Sequence, residues 1–163
     1  MFKRTLYSEI VTIAAPRDWV WSILIDTRKY GDWNPFTYRV DTTLTVGDPV
    51  DLYVRMPVRG DRLQTEYVTQ VVKPAKLAWG MTMGCSLLLR AEREQLLTQV
   101  SPEITEYQTW DAFSGLLTPL VIGLFEMDIT SGFNAMAVAL KLQAEKTWQN
   151  CNQQKNALQG YLG

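Results

Sequence analysis

The chain has 163 residues, of which 47% are hydrophobic and 20% are charged, and its formal net charge is −1. These values are typical of one soluble globular domain with its own core. Lysine and arginine are scattered and form no basic stripe, so we expect no nucleic-acid partner. No apolar run reaches the roughly 18 residues of a membrane-spanning segment. Two isolated cysteines and no histidine predict free thiols in the cytoplasm, with no metal and no cofactor.

The first half of the chain predicts a strand, a short helix and then further strands. Residues 6–14 are rich in β-forming side chains, and Pro16 suits the first turn of a helix over 17–26. Residues 27–31 add one more helical turn. Asn34 precedes a proline and is therefore pushed out of the helical region, so the chain returns to extended form. Alternating polar and apolar residues predict strands over 36–44, 50–56, 63–72 and 77–82.

The charged segment 87–100 allows two interpretations. Its patch 90–95 has helical propensity, whereas its alternation also fits a strand. The turn signal at 101–103 and the strand pattern over 104–113 favour a β-hairpin.

The longest predicted element is a helix from Thr118 to about Asn150, with Thr118 as its N-cap. At 100° per residue its apolar side chains gather on one face: Ile122, Phe125, Ile129, Phe133, Met136, Ala137, Leu140, Ala144 and Trp148. Strands followed by a long helix predict an α+β fold in which one face of an antiparallel sheet packs on the helix. We expect room for an apolar guest between the two layers.

The first part of this helix leaves two questions open. Glu126 projects into the apolar face, where a lone carboxylate needs a partner, a proton or water. Alternatively, Thr130, Ser131 and Gly132 break the helix and change its phase, so that Glu126 is exposed. A second apolar stripe, formed by Leu120, Leu124 and Met127, makes segment 118–128 either a lid, whose outer side meets a partner, a membrane surface or another subunit, or a fully buried segment.

Several short segments resemble the START/Bet v 1-like (SRPBCC) superfamily, and within it bacterial polyketide cyclase/dehydrase and lipid-transport proteins. They are Ile13-Ala14-Ala15-Pro16, Val20-Trp21, Asp26, Trp33-Asn34-Pro35-Phe36, Pro74 with Leu77 and Trp79, Phe113-Ser114-Gly115-Leu116-Leu117, and Gly132-Phe133 with Leu140-Lys141 and Glu145. The resemblance implies a helix-grip fold: a curved seven-stranded antiparallel sheet around the long C-terminal helix, two short helices after the first strand, and a deep hydrophobic cavity. We expect one such domain over 1–150 and a C-terminal tail over 151–163. Some relatives place cavity histidines where this chain has Arg93 and Thr109.

Strand alternation predicts which polar groups face the guest. If Phe113 points inward, so do Asp111, Thr109 and Tyr107, and Arg93 on the neighbouring strand becomes a partner for Asp111. Such a pair is either structural or orients a ligand. Aromatic residues line the pocket or simply fill the core. The expected ligand-binding residues are Trp33, Phe36, Tyr67, Trp79, Arg93, Tyr107, Thr109, Asp111, Phe113, Ile122, Glu126, Ile129 and Phe133.

These observations favour a protein that binds, and carries, a hydrophobic small molecule or lipid, rather than an enzyme. The alternatives are a cyclase/dehydratase-type enzyme acting on a polyketide-like substrate, with Tyr or Asp moving a proton, or a protein-interaction module. The absence of histidine excludes a Ser-His-Asp or Cys-His arrangement. The ligand's identity and the oligomeric state do not follow from these patterns.

Overall fold

The computed structural model describes residues 1–161, with side chains to residue 158. Two strands come first, then two short helices joined by a 3₁₀ turn, then six strands and a long helix. The elements are β1 (Phe2–Tyr7), β2 (Val11–Ile13), α1 (Arg17–Ile25), the 3₁₀ turn (Thr27–Lys29), α2 (Tyr30–Trp33), β3 (Thr37–Thr42), β4 (Pro49–Val54), β5 (Arg62–Val72), β6 (Lys76–Met83), β7 (Leu89–Ser101), β8 (Ile104–Gly115) and α3 (Thr118–Tyr161).

All strands pair antiparallel in one sheet with the order β1-β8-β7-β6-β5-β4-β3, and β2 also pairs with β8. The predicted α+β architecture, a sheet gripping a long C-terminal helix, is confirmed. The hairpin interpretation of segment 87–100 is also confirmed, because β7 and β8 pair along nearly their whole length. Within residues 1–161, no helix combines the length and apolar character needed to cross a membrane.

The predicted first strand is two strands. The chain leaves the ladder between them, and the backbone N–H of Glu9 donates to Asn134 Oδ1 of α3 at 2.7 Å. It then rejoins β8 at Val11. This break attaches the edge of the sheet to the helix.

The apolar face predicted for α3 is buried over its central part, where Phe133, Met136, Ala137 and Leu140 are almost fully inaccessible. The helix is continuous through residues 129–132, so the predicted alternative of a break there is wrong. It also extends to Tyr161, beyond the expected end near Asn150. Thr118 is not the predicted cap, because its buried Oγ1 forms no hydrogen bond.

Candidate ligand-binding site

A cavity of about 170 Å³ lies between the inner face of the sheet and the first turns of α3. Most of its lining is apolar, and only five of the lining residues are polar or charged. The lining residues are Phe36, Leu52, Val54, Met56, Arg62, Gln64, Glu66, Met81, Met83, Leu89, Ala91, Arg93, Asp111, Phe113, Val121, Phe125, Ile129 and Phe133.

One row of α3 forms the helical wall of the cavity: Val121, Phe125, Ile129 and Phe133, spaced four residues apart. Arg62 and Met83 line the opposite wall and are themselves exposed to solvent. The cavity therefore reaches the protein surface beside these two residues.

Phe36 enters the cavity because the segment before it is held in a tight turn. Asn34 Oδ1 accepts hydrogen bonds from the backbone N–H groups of Phe36 and Thr37, at 3.0 and 2.9 Å. The Phe36 ring packs edge-on against Phe133, with 5.7 Å between ring centroids. A Cβ atom at Gly132 would lie 2.1 Å from Phe36 Cδ2. Glycine at this helical position therefore makes room for the ring.

Arg93, on β7, is the charged group at the centre of the site, and only 5% of its surface is exposed. Its Nε donates to Thr109 Oγ1 at 3.3 Å, and its Nη2 donates to Met136 Sδ at 3.0 Å. The guanidinium lies 4.4 Å from the centroid of the Phe133 ring, a cation–π distance. Phe36 and Trp79 flank it at 5.9 Å.

The predicted ion pair between Arg93 and Asp111 is not formed, although the two residues face each other directly across β7 and β8. Neither residue takes part in any ion pair among the described residues. The reason is that the guanidinium extends towards α3 and its aromatic rings instead. Asp111 Oδ1 is buried and has no hydrogen-bond partner in the part of the chain that the structure describes. Burial raises the pKa of Asp111 to about 7, against the opposing effect of Arg93.

Glu66, on β5, is the second carboxyl group of the cavity, and it was not among the predicted site residues. Only 5% of its surface is exposed, and its Oε1 accepts a hydrogen bond from Gln64 Nε2 at 2.9 Å. Burial, together with the negative charge of Asp111, raises the pKa of Glu66 to about 8. The cavity thus contains one buried cation and two carboxyl groups whose pKa values are raised mainly by burial.

Six of the predicted site residues line the cavity together: Phe36, Arg93, Asp111, Phe113, Ile129 and Phe133. Two others support Arg93 from the buried inner face of the sheet. Thr109 Oγ1 accepts from Arg93 and donates to the carbonyl of Glu94 at 2.9 Å. Trp79 is buried beside the guanidinium.

The remaining five do not line the cavity. Tyr107 is fully buried, and its hydroxyl donates to Gln95 Oε1 at 3.0 Å. Trp33 lies in α2 and packs edge-on against Tyr30, with 5.0 Å between centroids. Ile122 is half-buried beside the core, and its neighbour Val121 lines the cavity instead.

Tyr67 and Glu126 lie on the outside of the molecule. Tyr67 is 53% exposed because Glu66 and Val68, the residues on either side of it, take the inward positions of β5. Glu126 is partly exposed and binds Arg4 Nη2 of β1 at 2.9 Å. Of the two expectations for Glu126, exposure is the observed one, although the helix does not break: it turns this side chain towards β1.

The polar cavity residues of β5 are not among the predicted site residues, although the strand pattern could have identified them. Val68 is an obvious inward residue, and the two-residue period of a strand places Glu66, Gln64 and Arg62 on the same face. The aromatic side chain of Tyr67 favoured the opposite phase. The periodicity of the strand is the more reliable guide here.

Structural comparison relates this arrangement to known proteins. The Zhui aromatase/cyclase from Streptomyces sp. R1128 superposes with a TM-score of 0.70 and 21% identity, over 89% of this chain and 95% of that chain. The two proteins share the helix-grip fold. A norcoclaurine synthase from Thalictrum flavum shares this helix-grip fold, with a TM-score of 0.67 and 15% identity over 90% and 96% of the two chains. The predicted resemblance is thus confirmed at the level of the fold.

A third helix-grip protein extends the comparison. StfQ, a di-domain ARO/CYC from the steffimycin biosynthetic pathway, matches with a TM-score of 0.69 and 12% identity. The match covers 89% of this chain and 52% of that chain. At the level of sequence, neither a family model nor a curated protein matches this chain.

Proposed function

We propose that the chain binds, and carries, a small hydrophobic molecule with one oxygen-bearing end in the cavity between the sheet and α3. The observation that supports this function is the buried guanidinium of Arg93, which has no carboxylate partner among the described residues, in a cavity whose other walls are largely apolar. Apolar cavities with a few polar groups are the usual form of small-molecule sites.

The size of the cavity limits the guest. A dry apolar cavity of about 150 Å³ accommodates one benzene-sized ring. The cavity of about 170 Å³ is comparable, so a single ring or a short branched chain fits inside. A longer guest would extend through the opening beside Arg62 and Met83. Burial of its apolar surface would stabilise the complex by roughly 25 cal/mol per Å².

Arg93 gives this cavity its selectivity. The guanidinium makes a long hydrogen bond to Thr109 Oγ1 and a weak contact with the thioether Met136 Sδ. These two contacts replace only a small part of the hydration that a buried cation loses. An oxygen atom of a guest would give the guanidinium a stronger acceptor. Oδ1 of Asp111 also belongs to the cavity lining and would accept a hydrogen bond from a hydroxyl group of the guest. A phenol, an enol or a carbonyl group satisfies this arrangement better than a hydrocarbon.

The test compares two probes that differ by one hydroxyl group, p-cresol and toluene, in an NMR titration. We expect the wild-type protein to bind p-cresol more tightly than toluene. The variant Arg93→Met should lose about 10- to 100-fold in p-cresol affinity, because a hydrogen bond to a charged group is worth about 1.5–3 kcal/mol. Its toluene affinity should remain close to that of the wild type.

The control variant is Arg90→Met, which removes an exposed arginine of the same strand. It should bind both probes as the wild type does. Toluene binding by Arg93→Met shows that the cavity has kept its shape. An unchanged ratio of the two affinities in Arg93→Met would exclude Arg93 as the selective group. Failure of the wild type to bind either probe would exclude a cavity of this kind.

The two carboxyl groups favour a second candidate function, an enzyme that moves a proton, as in the cyclase/dehydratase alternative. Burial holds the pKa values of Asp111 and Glu66 at about 7 and about 8, close to the pH at which a general acid or base works best. An aromatase/cyclase and a norcoclaurine synthase have the same fold, which is compatible with this alternative.

Proton transfer can be tested without the natural substrate. Acetophenone exchanges its methyl protons in D₂O, and the exchange is followed by NMR. An acceleration by the wild-type protein that Asp111→Asn abolishes would favour the enzyme. Exchange at the uncatalysed rate, combined with tight binding of p-cresol, would favour the carrier.

A further inference from the structure

We propose that the outer surface of the first turns of α3 docks on an anionic lipid bilayer, with the opening of the cavity facing the membrane. The apolar part of this surface, the α3 stripe, consists of Leu87, Leu116, Leu120, Leu124 and Met127. The inference is independent of which guest the cavity holds.

The α3 stripe is contiguous and exposed. Leu120, Leu124 and Met127 share one face of the helix, because they are spaced at i, i+4 and i+7. Leu116 lies directly before the helix, and its backbone N–H donates to the carbonyl of Leu87 at 3.0 Å. Leu116 and Leu120 are 54% and 58% exposed. Exposed apolar side chains grouped in this way mark an interaction surface rather than scattered surface residues.

The stripe borders the opening of the cavity. Val121 and Phe125, on the same two turns of α3, line the cavity from the inside. Leu87 lies in the connection between Met83 and Leu89, and both of these residues also line the cavity. A bilayer in contact with the stripe would therefore lie next to the opening, and an apolar guest could pass between the two without crossing bulk water.

Positive charge borders the stripe. Arg59 Nε donates to the carbonyl of Leu124 at 2.6 Å, and the guanidinium groups of Arg59 and Arg62 lie 5.3 and 4.9 Å from the centroid of the Phe125 ring. Neither arginine forms an ion pair among the described residues.

The exposed carboxylates of this region are paired. Glu126 binds Arg4 at 2.9 Å, Glu92 binds Arg90 at 2.7 Å, and Asp61 lies 4.0 Å from Arg55. Asp128, next to Met127, is buried, and its Oδ1 accepts a hydrogen bond from the backbone N–H of Val58 at 2.8 Å. The exposed charge beside the stripe is therefore positive, on a chain whose formal net charge is −1. An apolar stripe bordered by arginine is the pattern of interfacial membrane binding, in which the cations attract anionic lipids. A second copy of the chain would bring like charges together at such a surface.

The experiment is co-sedimentation with vesicles of phosphatidylcholine alone and of phosphatidylcholine with phosphatidylglycerol. We expect the wild type to bind the mixed vesicles, to bind pure phosphatidylcholine less, and to be released by added salt. The affinity of the double variant Leu116→Ser/Leu120→Ser for the mixed vesicles should be lower by about tenfold or more, because two leucines no longer insert into the bilayer. The matched control is Leu142→Ser, a 61% exposed leucine farther along α3, which should bind like the wild type.

Three results would overturn the proposal. The first is a wild-type protein that does not sediment with the mixed vesicles. The second is an equal loss of binding in the Leu142→Ser control, which would mean that the stripe has no special role. The third is a wild-type dimer in sedimentation velocity that Leu116→Ser/Leu120→Ser converts to a monomer, since the stripe would then be an interface between two copies. Because both side chains are exposed, the double variant should fold like the wild type, and its thermal unfolding transition checks this.

Discussion

The most unusual residues of this protein are the three ionisable side chains inside the cavity, Glu66, Arg93 and Asp111. Removing charged groups from water is costly, and a buried cation usually lies against a carboxylate. Here Arg93 is surrounded mainly by aromatic rings, and the two carboxyl groups respond to burial with raised pKa values. This arrangement leaves a positive charge whose best partner is a group from outside the chain.

The raised pKa of Glu66 predicts that the protein loses stability as the pH rises. Its pKa is about 8 in the folded chain against an ordinary value of 4.5, so between these values the folded chain binds more protons than the unfolded chain. The stabilising contribution is complete below about pH 4.5 and decreases up to about pH 8, by at most about 1.4 kcal/mol per pH unit for each such group.

The variant Glu66→Gln should therefore reduce this dependence, because glutamine is neutral at every pH. Urea unfolding at about pH 5 and about pH 8 measures the difference. We expect Glu66→Gln to be more stable than the wild type at the higher pH and to retain the part of the slope that belongs to Asp111. The control is Glu103→Gln, in the exposed turn after β7. An identical slope in Glu66→Gln and the wild type would contradict the proposed burial of a protonated carboxyl group.

Sequence patterns predicted the central polar residues better than their interactions. Strand alternation correctly turned Arg93 and Asp111 inward, because the period of two residues is a geometric property of any strand. It could not predict that Arg93 reaches past Asp111 to Phe133. The direction of the Arg93 side chain depends on its rotamer and on the distance between the sheet and the helix, and neighbouring residues in the sequence determine neither of these.

At the scale of elements, α3 and the segment before β3 are fitted to each other through a single glycine. Gly132 lies in the middle of the helix, where glycine is unfavourable by about 1 kcal/mol relative to alanine. The Phe36 ring occupies the space that a Cβ atom would need. From the sequence alone, Thr130, Ser131 and Gly132 indicate a helix break. The reason for glycine cannot be found locally, because it makes room for Phe36, a residue almost a hundred positions earlier.

Substitution of this glycine tests the fit between the two elements. Gly132→Ala should destabilise the protein by about 1–3 kcal/mol, the usual cost of overpacking, despite the better helix propensity of alanine. The matched control is Gly123→Ala in the same helix, since a Cβ atom there would meet no other atom within 4 Å. This control should stabilise the protein by up to about 1 kcal/mol. Thermal or urea unfolding measures both variants, and a stabilised Gly132→Ala would contradict the packing described here.

For the whole molecule, the fold could be predicted because its signals agree at several levels. Alternating strands, turn residues, a proline-limited helix and one long amphipathic helix all indicate a sheet that covers a helix. The position of the cavity is less predictable, because it depends on how closely the two layers approach each other. Glu66 illustrates the difference: its inward direction follows from strand period, whereas its role as a cavity group follows only from the space left beside α3.

The methionine side chains provide the most direct test of the central claim that the cavity takes up a hydrophobic guest. Met56, Met81 and the partly exposed Met83 line the cavity, whereas Met1 and Met127 are exposed on the surface and do not line it. In an NMR titration of methyl-labelled methionines with p-cresol, we predict saturable shifts of the three cavity methyl groups and none at the two exposed ones. Shifts confined to Met1 or Met127, or no shifts at all, would contradict a guest-binding cavity between the sheet and α3.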